Sequence, residues 1–154
     1  MKSFRVKDGD ISLTLGDQAE AVYGGDKLQQ DLKLWLMEPY GTGFTTPLFG
    51  SNLGEMIGEI NSDYMKSKVV AEVQRILGLY QKSQLQKIQL AQKNGLLYLW
   101  SKAEILQSVD QVSVGASSDL IQVRVSISTL SSQPTTQQQT LTFSLTTGGL
   151  VLAA

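Results

Sequence analysis

Apolar and polar positions alternate with period two at both ends of the chain and recur with helical spacing in between. Near the start, Phe4 and Val6 alternate with polar residues, Asp8-Gly9 is a turn dipeptide, and Ile11, Leu13 and Leu15 resume the alternation. This pattern predicts a β-hairpin. Gly16-Asp17 marks a second turn, Ala19, Ala21 and Tyr23 fit a third short strand, and Gly24-Gly25 ends it. Leu28, Leu32, Trp35 and Leu36 then form a helical stripe behind Asp26, whose carboxylate is placed to cap the first free amides. Pro39 and Gly41 stop that helix near Met37, because proline disfavours helix in the residue before it.

Residues 39–47 read as a loop, followed by a short amphipathic helix carrying Leu53, Met56, Ile57 and Ile60. Asn61-Ser62-Asp63 caps a longer helix whose stripe is Met65, Val69, Val73, Ile76, Leu77 and Tyr80, continuing at weaker contrast through Gln84, Ile88 and Ala91. Gly78 interrupts it, and Asn94-Gly95 is its stop signal.

The composition changes at Ile105. Among the last fifty residues only Asp110, Asp119 and Arg124 are charged, and 23 are Ser, Thr or Gln, so alternation rather than charge has to define the structure there. Val109, Val112 and Val114 predict a strand with a phase slip, which a bulge would accommodate. Ile121, Val123, Val125 and Ile127 alternate without a break, and Leu141, Phe143 and Leu145 repeat the period after a polar loop at 131–140. The expected class is α+β: an N-terminal β-hairpin, two short helices and one long helix, then a C-terminal antiparallel sheet of about three strands. Residues 1–154 are expected to form a single domain, with a hairpin region at 1–24, a helical region at 25–104 and the sheet at 105–154.

Charge and composition remove several classes of function. The chain carries 13 Lys and Arg against 14 Asp and Glu, a net charge of −1, so it has no basic field for a phosphate backbone and nucleic acid is not an expected partner. It has no cysteine and no histidine, which removes disulfides, thiol and imidazole catalysis, thiolate clusters and imidazole-bound zinc. Leu96 to Trp100, as long as any apolar run in the chain, is far short of a membrane span, and Met1 to Asp10 lacks the apolar stretch of a secretory signal. No membrane partner, cofactor or metal is expected.

Carboxylate pairs are the main acid–base chemistry left. Glu55 and Glu59 lie four apart on one predicted helix, whereas a glycosidase needs two carboxyl groups facing each other across a cleft. Gly41-x-Gly43 is followed by Thr46 where a dinucleotide loop needs its third glycine. Ser67-Lys68 and Ser101-Lys102 are sequence neighbours, which on a helix point in different directions. None of these carries a catalytic assignment.

The uncharged C-terminal strands are more informative. Thr135 to Ala154 holds no charge at all, although strand edges facing water usually carry charges, prolines or bulges. Leu141, Phe143 and Leu145 are therefore a candidate edge for strand addition by another chain, or else a central or covered strand. The tail Leu150-Val151-Leu152 is expected to dock, in cis or in trans.

Residues 8–60 resemble the phage contractile-tail baseplate wedge family, which includes sheath-initiator subunits and carries an old lysozyme-like label. The similar elements are Asp8-Gly9-Asp10, then Gly25-Asp26 leading through Gln30-Asp31 and Leu32 into a helix, and Pro47-Leu48-Phe49-Gly50-Ser51-Asn52-Leu53 followed by Ile57-Gly58. Gln30, Asp31, Pro47, Phe49, Gly50 and Leu53 are the structural and interaction motif in this reading. The Glu-Pro-Arg element usual in the family is replaced here by Gly58-Glu59-Ile60, so no wedge-bundling residue is carried over.

The resemblance implies a non-enzymatic structural subunit of the virion tail baseplate, assembled in the host cytoplasm. Its partners would be other wedge subunits and the tail sheath protein, with tube or hub proteins as further contacts. Its sheet would nucleate sheath assembly by strand addition. The alternatives are a small peptidoglycan hydrolase using Glu55 and Glu59, and a tail-tube or tail-completion protein.

Overall fold

In the computed structural model, the structure describes residues 2–7, 10–14, 18–42, 49–56, 62–117, 120–130, 139–146 and 149–152. It has mixed α+β architecture, in the order β-rich ribbon, helices, sheet.

The ribbon is built from four two-residue strands: β1 (Ser3–Phe4), β2 (Val6–Lys7), β3 (Asp10–Ile11) and β4 (Ala21–Val22). The strand pair β2–β3 is antiparallel, as the predicted hairpin requires, and β1 pairs with β4, so the first stretch of chain bonds to both later ones. Hydrogen bonds from Arg5 N to Glu20 O and from Ser12 N to Arg5 O hold the three together. The alternation there does not make a core face, because Phe4, Ile11 and Leu13 are exposed and, among the described residues of the ribbon, Val22 alone is buried. The turns at Asp8-Gly9 and Gly16-Asp17 lie outside the described residues.

Helix α1 (Gly24–Met37) ends where Pro39 requires, with Leu28, Leu32 and Leu36 buried. Its start differs from the sequence expectation. Tyr23 is the N-cap residue, without a side-chain cap, and Asp26 lies inside the first turn. A distant carboxylate takes over the capping role, since Gly24 N donates to Glu104 Oε1 at 3.2 Å.

Leu53–Met56 forms a short 3-10 helix, while Ile57 and Ile60 lie outside the described residues. Helix α2 (Asp63–Lys93) has 31 residues, and Ser62 Oγ accepts Met65 N as its cap. Its buried stripe runs from Met65 through Tyr80 to Gln84, and Asn94 with Gly95 (φ +68°) closes it. Beyond Gln84 the last nine residues of α2 bury no side chain fully, so the helix projects past the core.

Four antiparallel strands form the C-terminal sheet: β5 (Leu106–Ser117), β6 (Leu120–Thr129), β7 (Gln139–Thr146) and β8 (Gly149–Leu152), in that spatial order. The predicted phase slip is present as a register shift between Val109 and Gln111, with a second between Leu106 and Ser108. Val123, Val125 and Ile127 of β6 face Leu32, Val69, Val73 and Leu77 of the helices in one hydrophobic core. Burying such side chains contributes about 1.5–3 kcal/mol each before chain entropy is subtracted.

The fourth strand corrects the three-strand expectation. The apolar tail docks in cis: Leu152 pairs with Phe143 and Leu150 with Leu145. Phe143 and Leu145 also pair with Val123 and Ile121 on their other side, so they are not an edge. Leu141 pairs with Val125, beyond the end of the β7–β8 ladder.

Candidate functional site

The motif residues that the structure describes converge on Trp35 and the junction between ribbon, helices and loop. Gln30 ties the ribbon to α1 with both ends of its amide: Oε1 accepts Val6 N at 2.9 Å and Nε2 donates to Phe4 O at 2.8 Å. One residue on, Asp31 pairs with the ammonium of Lys27, which is only 6% exposed. The Tyr80 hydroxyl lies 3.5 Å from Asp31 Oδ2, at the limit of a hydrogen bond. Burial, then the Asp31 charge, pushes the Tyr80 phenol well above its ordinary range.

Phe49 meets Trp35 edge to face with ring centroids 4.3 Å apart, and Trp35 meets Tyr80 in the same manner at 5.1 Å. Gly50 has φ +110°, and a Cβ there would lie 2.3 Å from Pro39 O, so only glycine fits. Leu53 is buried against the helices, as expected of the first residue of an inward face. Pro47 lies outside the described residues.

Two residues that the sequence reading passed over lock this loop in place. Arg75 Nη2 donates to Gly50 O at 2.8 Å and to Glu72 Oε1 at 2.7 Å, while Nε donates to Glu72 Oε2 at 2.8 Å. Glu72 Oε1 also accepts Asn52 N at 2.8 Å. Hydrogen bonding to Arg75 holds the Glu72 carboxyl below its usual range against the opposing effect of burial. Arg75 is shifted up by the same contact. The available signal was an Arg three residues after a Glu on a helix whose stripe is otherwise apolar.

Lys27 is paired with Asp31, and Arg75 with Glu72. A hollow of about 240 Å³ beside the junction is lined by Lys2, Lys27, Asp31, Trp35, Lys87 and Trp100, among others. Glu55 sits exposed on the 3-10 helix, and Glu59 lies outside the described residues, so no facing carboxylate pair is formed among the described residues. Among those residues there is also no cluster of three or more potential metal-ligating side chains, and no helix long and apolar enough to cross a membrane.

The second candidate feature is the sheet edge opposite β8. Among the described residues, β5 bonds to β6 on one side only within the sheet. At its start α2 covers the other side: Gln84 Oε1 accepts Leu106 N at 2.9 Å and Gln81 Nε2 donates to Gln107 O at 2.7 Å. Towards Val114 the helix and strand leave an open hollow of about 340 Å³, lined by Lys66, Ser67, Val70, Ala71 and Gln74 of α2. From Gln111 to Ser117 the strand keeps regular register and carries no charge.

Compared with protein-family models, curated proteins and solved structures, the chain matches none.

Proposed function

We propose that this chain is a non-enzymatic structural subunit of a contractile-tail baseplate, joining wedge components and starting sheath assembly by accepting a strand of the sheath protein. The observation that carries this reading is the regular, charge-free outer edge of β5 from Gln111 to Ser117, flanked by the hollow beside Val114. An edge of this kind offers main-chain donors and acceptors to an incoming strand, and the hollow gives room to alternate side chains. The receiving edge is therefore β5 rather than β7. The motif around Trp35 supports the same role, since a subunit held between neighbours needs its ribbon, loop and helices locked to one another. In this reading the subunit works in the virion tail, with wedge subunits and the sheath protein as its partners.

Proline substitutions at successive positions from 111 to 115 test the proposal. Successive amides of a strand point to opposite sides, so every second proline removes a donor turned away from β6. Those variants should fold, enter baseplates and fail to start sheaths. Normal sheaths on every folded variant would refute acceptance at this edge.

A further inference from the structure

Four consecutive apolar residues, Leu96 to Leu99, are exposed. They follow the projecting end of α2, and Tyr98 is 78% exposed; Leu85 and Leu90 of the same projection are exposed as well. Patches of this kind on soluble proteins mark contact sites. The charge carried by this stretch of the sequence is of one sign. Residues 81–103 contain Lys82, Lys87, Lys93 and Lys102 and no Asp or Glu. All four lysines are exposed. A partner must therefore be apolar at its centre and negative at its rim, and two tips facing each other would place like charges together.

The same chain carries an apolar ribbon whose sequence is predominantly acidic. The ribbon exposes Phe4, Ile11, Leu13 and Tyr23, with Leu13 at 58% and Tyr23 at 59%. Residues 8–26 contain Asp8, Asp10, Asp17, Glu20 and Asp26 and no Lys or Arg. Lys2, Arg5 and Lys7 precede them, Arg5 being paired with Glu20, and residues 1–26 together remain at net −2. Within one molecule the tip and the ribbon do not cover each other, because both stay exposed. They do border one hollow, which Lys2 and Ser3 line from the ribbon side and Lys87 and Trp100 from the tip side.

We infer that the occupant of the tip is a second copy of this chain, whose ribbon receives Leu97, Tyr98 and Leu99 while its own tip meets the first copy's ribbon. With the ribbon and the tip both bordering that hollow, a two-fold axis would let both contacts form at once, the self-complementary arrangement of an isologous dimer. The inference is independent of the baseplate reading: it concerns the opposite end of α2 from the β5 hollow and does not require a sheath protein.

Light scattering coupled to size exclusion, over a concentration series into the high micromolar range, reads the mass directly. The full chain should move from 16.8 kDa towards twice that value, and added salt should shift it back. Tyr98→Asp and Leu13→Lys each place a like charge opposite the partner patch at an exposed position, so each should stay monomeric with an unchanged circular dichroism spectrum. Mixing the two variants should restore a one-to-one dimer, since each supplies the patch the other lacks. A chain that is monomeric throughout, or a dimer indifferent to both substitutions, would overturn the inference. So would a dimer lost with Tyr98→Asp but kept with Leu13→Lys, which means tip on tip. Flotation of the monomer with phosphatidylglycerol vesicles, lost in Tyr98→Asp, would likewise overturn it by assigning the tip to a lipid surface.

Discussion

Gln84 Oε1 accepts the backbone amide of Leu106 at 2.9 Å, and Gln84 Nε2 donates to the carbonyl of Glu104 at 2.6 Å. One buried side chain on α2 thus satisfies both polar groups of the backbone where the helical region passes into the sheet. Leaving a buried donor or acceptor unpaired costs about 1–3 kcal/mol.

Gln84→Leu should therefore destabilise the fold by roughly 2–4 kcal/mol, although the substitution adds apolar surface to the core. Urea unfolding followed by circular dichroism measures this directly. A neutral effect would mean that the helix does not hold the entrance to β5.

Glu72 gives the fold an acid dependence. Its carboxyl is held below the ordinary range mainly by Arg75, so its contribution is complete above the unfolded value of about 4.3 and fades as pH falls through the lower folded value. Glu72→Gln should lose about 1–2 kcal/mol at neutral pH and show a flatter loss of stability on acidification, because Arg75 is partly exposed and the pair is screened. Urea titrations at neutral and acid pH compare the two slopes.

Tyr80 acts at the other end of the scale. Its phenol is pushed up by burial and by Asp31, so the folded state keeps the proton after the unfolded chain has lost it. Stability is complete below the unfolded value of about 10 and declines as pH rises above it. In Tyr80→Phe the alkaline fall in melting temperature should be shallower than in the parent chain.

Gly78 sits in mid-helix on α2, with open space around the position of an added Cβ. Gly78→Ala should stabilise the fold by about 0.5–1 kcal/mol, read as a higher urea midpoint at unchanged slope. Gly50→Ala should do the opposite, because its φ of +110° and the Pro39 carbonyl leave no place for a side chain.

The helices were the most legible part of the sequence, because a stripe such as Val69, Val73, Ile76, Leu77 and Tyr80 defines both a period and a buried face. The alternation of β6 was equally plain. The ribbon was legible as strands but not as surface, since Phe4, Ile11 and Leu13 alternate like core residues yet are exposed. The cap of α1 was out of reach of local reading, because Glu104 stands 80 positions away from Gly24. In the tail, three apolar residues after a glycine pair carried too little pattern to decide between docking in cis and in trans. The lock of Arg75 on Gly50 depends on a contact across 25 positions, which residue spacing does not reveal.

Amide hydrogen exchange along β5, with and without purified sheath subunit, tests strand acceptance most directly. Alone, the alternate amides of 111–117 turned away from β6 should exchange quickly, while those bonded to β6 exchange slowly. Sheath subunit should slow the first set and leave the glutamine-capped amide of Leu106 unchanged. Equal rates at 111–117 with and without a bound sheath subunit would contradict the proposal.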